Sequence, residues 1–243
     1  MPDADIPNTG PAGHLWPLPL VAGLMPAIAA VAALWLSISL ELIPACNPFL
    51  DGCVSISRAG RHDLPNYVFR ALVLPAAALQ ALTWLLCAQW LKGVGAEQRG
   101  MLRVLTWLGV IAGVFLVLYG TFLGTEGQTY RWLRRYGVIF YFGFTFLCML
   151  ISSGELWRLA RSGTITLPAR LERLLLVLCA LMLCLGLTQA FLKRFMADGD
   201  FMDRLENILE WHIGLAFTLF FLALAWLWRH TRFSARLASG NRS

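Results

Sequence analysis

Three carboxylates near the start of the last apolar segment are the residues best placed to do chemistry. Asp203, Glu206 and Glu210 recur at intervals of three and four, so a helix would place them on one face. His212 follows Glu210 by two positions and would point roughly the other way. Carboxylates at 206 and 210 repel each other, which favours a nearby cation or a proton on one of them. Arg70, at the start of another apolar segment, is the cation that we expect there.

Three interpretations of this acidic face remain open. An ion pair between Arg70 and Glu210 would fix helix packing at the membrane boundary. A lipid-headgroup or substrate site would use the same charges for binding, as ionisable residues in membrane helices often do. Plain exposure to solvent is the third. In the first two cases we expect Glu210 and Arg70 to lie close together beneath the loop from Ser55 to Pro65.

A second group of reactive side chains lies between the first two apolar segments. His62 and Asp63, with Glu41, would lie on one side of the membrane, and a histidine beside carboxylates can transfer protons to or from a lipid ester. Adjacent loop residues of this type are, however, usually solvated. Ser55 and Ser57 would be nucleophiles only if a base reached them. Because no Gly-x-Ser-x-Gly elbow is present, a turn or capping role is favoured, and whether the protein is an enzyme stays open.

The cysteines and histidines do not form a metal-binding pattern. No Cys-x-x-Cys occurs, and the four histidines are scattered, so we expect no metal and no cofactor. Four of the six cysteines fall inside apolar segments, where they behave as small apolar residues. Only Cys46 and Cys53 lie where an oxidising compartment could pair them, and we predict a disulfide between them. The alternative is that Cys53 packs beneath the loop.

Six charge-free apolar runs must position these residues. The chain is 58% hydrophobic and 14% charged, which excludes an ordinary soluble domain. Each run has at least 18 residues, and about 20 apolar residues span a bilayer as a helix. The sequence therefore predicts an all-α integral membrane protein, a single bundle of six transmembrane helices with a polar non-cytoplasmic cap. The runs are Leu15–Leu40, Ala71–Leu91, Val104–Thr125, Tyr136–Gly154, Leu174–Leu192 and Trp211–Trp228.

The rest of the chain gives the expected domain limits and orientation. We expect a disordered N-terminus over residues 1–16, the six-helix domain over residues 17–228 and a basic cytoplasmic tail over residues 229–243. The net charge of +6 does not indicate nucleic acid, because the basic residues lie mainly at helix ends. Both termini are taken as cytoplasmic, although the charge bias between the two sides is slight. Arginine greatly outnumbers lysine, which hints at a GC-rich bacterial genome and hence at the cytoplasmic (inner) membrane.

The stretch from Cys46 to Arg70 contains Ser55-Ile56-Ser57, then Gly60, Pro65 and Phe69-Arg70. This pattern resembles the first non-cytoplasmic loop of the DRAM/Frag/Sfk family of multipass membrane proteins. Two later landmarks agree with that family: a serine-rich end of the fourth span before Glu155, and a Glu-aromatic step, Glu210-Trp211, at the start of the last span.

The resemblance implies a lipid-related role. The family includes autophagy modulators, a factor in lipid remodelling of GPI anchors and the N-terminal domain of a yeast cell-wall-biogenesis protein. In a bacterium only the lipid handling would transfer. We therefore expect a multipass membrane protein that binds or helps remodel membrane lipids from the outer face. The alternative is a non-catalytic scaffold or modulator that docks a membrane protein partner through its outer loops. The expected lipid-binding residues are Glu41, Ser55, Ser57, His62, Asp63, Arg70, Glu206, Glu210 and His212.

Overall fold

The computed structural model describes residues 13–166, 168–195 and 199–235. Six of the seven helices in this part of the chain are long and apolar enough to cross a membrane, and the short α2 is the exception. The predicted all-α fold with six spans is therefore confirmed. The helices are α1 (Pro17–Ser39), α2 (Ile56–Ala59), α3 (Asp63–Gly93), α4 (Arg99–Phe122), α5 (Gln128–Arg161), α6 (Ala169–Phe195) and α7 (Asp200–His230).

The long helices extend beyond the charge-free runs because their ends carry charge. α5 begins at Gln128, two turns before the apolar run, and includes Arg131 and Arg134 in its first turns. α7 likewise begins at Asp200 and contains the whole acidic face. Charged helix ends are expected where a span reaches the headgroup layer. The acidic residues of α7 are thus held on a continuous helix and do not lie in a loop.

The helices pack in a closed order in which α6 is the least embedded. α4 lies between α3 and α5, and α1 packs against α3 and α7. α6 contacts α7 and, less extensively, α5. The core is filled by large side chains of α3 and α7, among them Trp84, Phe220, Phe221 and Trp228. Many apolar side chains on the outside are exposed, such as Trp107 at 66%, as a surface facing lipid chains requires.

Glycines bring α4 against α3 at close range. A Cβ atom on Gly109 would overlap the side chain of Trp84, and one on Gly113 would lie 3.1 Å from the carbonyl oxygen of Ala77. A Cβ atom on Gly120 would lie 3.2 Å from the Cδ2 atom of Leu74. Such small residues at intervals of four or so let two helices approach closely in a membrane. We name this contact the tight seam.

The two ends of the described chain are joined beside the bundle. Strand β1 (Gly13–His14) pairs antiparallel with strand β2 (Ser234–Ala235). The backbone N–H of Leu15 also donates to the carbonyl oxygen of Phe233, at 3.0 Å. Residues 13–16, within the predicted disordered N-terminus, are therefore held against the start of the basic tail. Residues 1–12 and 236–243 lie outside the described part of the chain.

Candidate functional site

The helix order gathers the reactive residues at one end of the bundle. The C-terminal ends of α1, α4 and α6 and the N-terminal ends of α3, α5 and α7 all lie there. Residues 40–62, which connect α1 to α3, cover this end, and we call them the cap. Because the six spans alternate in direction, every candidate residue of the sequence analysis is at this end of the molecule.

The cap is fastened within itself. Cys46 and Cys53 form a disulfide, with their Cα atoms 6.5 Å apart. Between them the backbone N–H of Asn47 donates to the carboxylate of Asp51, at 2.9 Å. Ser55 then caps α2, since its hydroxyl oxygen accepts from the backbone N–H of Arg58 at 3.1 Å. Ser55 thus has the capping role that the sequence favoured.

Side chains of α7 hold the cap down. Asn207 donates to the carbonyl oxygen of Gly52 at 2.8 Å, and the indole N–H of Trp211 donates to the carbonyl oxygen of Val54 at 2.9 Å. Gly52 has φ +59° and its α-carbon faces the backbone of Arg204 so closely that a Cβ atom would overlap it. Only glycine fits this turn without strain. The cap is therefore fixed on the N-terminal end of α7.

A cleft of about 780 Å³ opens beneath the cap between α5, α6 and α7. This volume falls in the range of about 300–1,000 Å³ that is usual for small-molecule sites. Charged side chains line the part of the cleft next to the cap, and apolar side chains of α5 and α6 line the part further from the cap, which we call the lower part. Among the lower residues Leu183 and Leu187 are also 48% and 61% exposed at the surface of the bundle. The cleft therefore reaches both the headgroup layer and the lipid-facing side.

Arginines from two elements form the basic wall of the cleft. Arg131 and Arg134 come from α5, and Arg61 comes from the cap. The Arg134 guanidinium donates to the carbonyl oxygens of Thr125 and Phe122, at 3.2 and 3.4 Å, which fixes its position. The Nε atom of Arg61 is buried and has no hydrogen-bond partner among the described residues. A buried donor of this kind is costly to leave unpaired, so the wall is suited to an acceptor.

The opposite wall, on α7, carries the acidic groups. Glu206 pairs with Lys193 of α6, their charged atoms 3.1 Å apart. Glu210 accepts a hydrogen bond from the backbone N–H of Ser57, at 3.4 Å, and forms no ion pair within the described ranges. The hydroxyl groups of Ser55 and Ser57 lie 3.2 Å apart and are hydrogen-bonded to each other.

The cleft brings together some of the predicted site residues and not others. Ser55, Ser57, Glu206 and Glu210 line it. The other residues expected to contact a lipid do not line it, and four of them are exposed at the loop end of the bundle. Those four are Glu41, His62, Asp63 and His212.

The ion pair between Arg70 and Glu210, one of the three interpretations of the acidic face, is absent from the described part of the structure. Neither salt bridge found in the described residues joins them, and Arg70 does not line the cleft. Arg70 is half-buried and lies on α3 beside the buried residues Asn66, Phe69 and Val73. The carboxylate of Glu210 is therefore left to the cleft.

Sequence reasoning missed the basic wall. Arg131, Arg134 and Arg135, together with Lys193, belong to the basic residues near helix ends that entered the sequence analysis only through the charge balance between the two sides of the membrane. Their shared position on the cap side was a usable signal, because six alternating spans place them at the same end as Glu210. The sequence did not indicate that α5 begins before these arginines and that their side chains line one cleft.

A smaller cavity of about 160 Å³ lies among α1, α3, α4, α5 and α7 and reaches the cap. It is lined mainly by apolar side chains, and it shares Tyr119 and Glu210 with the cleft. Gln80 lies on its wall, where it donates to the carbonyl oxygen of Ala22 at 3.0 Å and accepts from the hydroxyl of Tyr141 at 2.9 Å. These bonds join three helices across the bundle.

A metal site is not indicated by the described part of the chain, where no three His, Cys, Asp or Glu residues lie together in a suitable group.

A family model described as the Frag1/DRAM/Sfk1/Cwh43P N-terminal domain matches residues 14–231. The chain belongs to this family. The resemblance stated from the loop residues is thereby confirmed over nearly the whole chain. Searches of curated proteins and of solved structures gave no significant match.

Proposed function

We propose that this Frag1/DRAM family membrane protein binds a membrane lipid from the outer face of a bacterial cytoplasmic membrane. The observation that carries the proposal is the cleft between α5, α6 and α7, which has a basic wall at headgroup level and an apolar wall at chain level. Basic pockets between transmembrane helices are the usual way in which proteins hold anionic headgroups. In this arrangement the headgroup lies under the cap and the chains lie along α6.

Several contacts favour binding over nucleophilic chemistry. The hydroxyl of Ser57 bonds with that of Ser55, and it is the backbone N–H of Ser57 that meets Glu210. His62 and Asp63, the other candidates for proton transfer, are exposed outside the cleft. The basic wall of the cleft is made of arginines, which bind phosphate through paired N–H donors.

The proposal is tested by lipid titration of the purified protein. The double variant Arg131→Gln, Arg135→Gln removes two exposed charges from the basic wall. Its affinity for phosphatidylglycerol, measured by native mass spectrometry in detergent, is expected to fall about tenfold, the equivalent of about 1.4 kcal/mol. Both residues are exposed, so the fold should be retained.

The matched control is Arg99→Gln, Arg103→Gln, which removes two exposed arginines from the start of α4 at the opposite end. It should bind the lipid as the unmodified protein does. An equal loss in both double variants would mean that the lipid is attracted by net charge alone, and this would contradict the proposal.

A second candidate function, partner docking, is favoured by exposed apolar residues at the loop end. Leu50 is 74% exposed, Tyr67 70% and Phe201 68%. If these residues dock a membrane protein, then Leu50→Asp with Tyr67→Asp should abolish a cellular phenotype while lipid binding in the titration stays unchanged. If they only rest in the headgroup layer, neither the phenotype nor the binding should change.

A further inference from the structure

The cleft has two electrically opposite walls, and this separation bears on the kind of headgroup that it accepts. The arginines lie on α5 and on the cap, whereas the carboxylates lie on α7. Tyr119 of α4 lines the same cleft. The headgroup space is therefore bounded by positive charge on one side and by negative charge on the other.

Two side chains on these walls are incompletely paired: one lacks an acceptor for a donor atom, and the other lacks a cation. Arg61 has a buried Nε donor with no acceptor among the described residues. Glu210 has no cation within salt-bridge distance in the described ranges, while Glu206 one turn away is neutralised by Lys193. Both side chains are half-buried, and a charge partly removed from water is costly to leave without a partner, so each of these groups is suited to a complementary group on a ligand. Neither observation depends on the other.

We infer that the headgroup bound in this cleft carries both a phosphate and an amine. This inference rests on the proposed lipid binding and deepens it. The phosphate lies against Arg61, Arg131 and Arg134, and the ammonium group lies against Glu210. A headgroup with a phosphate alone would satisfy the basic wall and would leave Glu210 unpaired beside an anion.

The test compares three lipids with identical acyl chains in the same native mass spectrometry titration. Phosphatidylethanolamine has both charges, phosphatidylglycerol has only the phosphate, and diacylglycerol has neither. The unmodified protein is expected to bind phosphatidylethanolamine about tenfold more tightly than phosphatidylglycerol, and diacylglycerol most weakly. Equal or tighter binding of phosphatidylglycerol would overturn the inference but would leave the proposed lipid binding intact. If no lipid bound, both would fail.

A variant tests whether Glu210 causes the preference for phosphatidylethanolamine over phosphatidylglycerol. Glu210→Gln should reduce the affinity for phosphatidylethanolamine about tenfold and leave that for phosphatidylglycerol equal or higher, so that the preference disappears. Glu97→Gln, which removes an exposed carboxylate at the opposite end, is the matched control and should keep the preference. Retention of the preference in Glu210→Gln would overturn the assignment of the amine to this carboxylate. If Glu210→Gln does not fold, the comparison of lipids on the unmodified protein still decides the inference.

Discussion

Glycines have opposite surroundings at two helix contacts of this bundle. At the tight seam Gly109, Gly113 and Gly120 of α4 lie against side chains and backbone of α3. At the contact between α5 and α6, which we call the open seam, Gly143 and Gly186 line the cleft and have no atom within 4 Å of where a Cβ would lie. Glycine thus allows two helices to approach closely at the tight seam, whereas at the open seam it leaves space for the cleft. Glycine content alone does not distinguish a packed contact from a binding cleft.

The sharpest test of this comparison is a pair of substitutions by leucine. Gly109→Leu would place a side chain on buried Trp84, and overpacking of this kind costs about 3 kcal/mol or more at a site with no room. We expect little folded protein, measured as the monodisperse peak in size-exclusion chromatography. Gly143→Leu, on the open seam, should give as much folded protein as the unmodified chain. Equal yields of the two variants would show that the seams do not differ in packing.

The cap above the open seam gives the next largest effect. Removing the disulfide with Cys46→Ser, Cys53→Ser is expected to destabilise the cap by about 2 kcal/mol, because the reduced loop is freer when unfolded. Reductant should lower the melting temperature of the unmodified protein and not that of the double variant. Cys184→Ser, which removes an exposed free cysteine, is the control. Full alkylation of Cys46 and Cys53 in freshly isolated membranes without reductant would contradict the disulfide.

Filling the open seam should reduce binding without affecting the fold. Gly186→Phe places a ring in the apolar part of the cleft, and we expect lipid affinity to fall about tenfold, or about 1.4 kcal/mol. Gly154→Phe adds the same ring on α5 where there is also open space, but outside the cleft. It should bind lipid normally. A Gly186→Phe variant that binds as tightly as the unmodified protein would exclude the cleft as the chain-binding site.

The smallest effect concerns the polar bonds behind the tight seam. Gln80→Leu removes the two hydrogen bonds to Ala22 and Tyr141, and interhelical bonds of this kind contribute about 1 kcal/mol in membranes. The unfolding free energy, measured by titration with sodium dodecyl sulfate in mixed micelles, should fall by that amount. Thr106→Ala, whose hydroxyl bonds only within its own helix, should change it less. An equal change in both variants would remove Gln80 as a link between helices.

The bundle could be predicted from the sequence because charge-free length decides whether a helix spans a membrane. The site was predictable only in part. Ser55, Ser57, Glu206 and Glu210 were selected from their residue types and their shared end, and the structure places all four in one cleft. The partner of Glu210 was not predictable, because it is the backbone N–H of Ser57, and that contact depends on how the cap folds over α7.

The basic wall was missed for a related reason. Arg131 and Arg134 lie near a predicted helix end, where basic residues are common and usually only set orientation. Their role in the cleft depends on α6 lying apart from α5, and nothing in the apolar pattern of α6 indicates how closely it packs. Long-range spacing between helices is therefore the part of the site that the sequence did not reveal.

The pairing of β1 with β2 also has a mechanical consequence. Gly13 lies opposite Ala235 and His14 lies opposite Ser234, so both ends of the chain leave from the same edge of the pairing. A force pulling the termini apart would open these bonds one after another, as a zipper opens. After that the load would fall on the contact between α1 and α7, where a Cβ atom on Gly23 would meet Phe221 at 2.5 Å. The strand pairing therefore shields the contact between α1 and α7 from a pull on the termini until its own hydrogen bonds have opened.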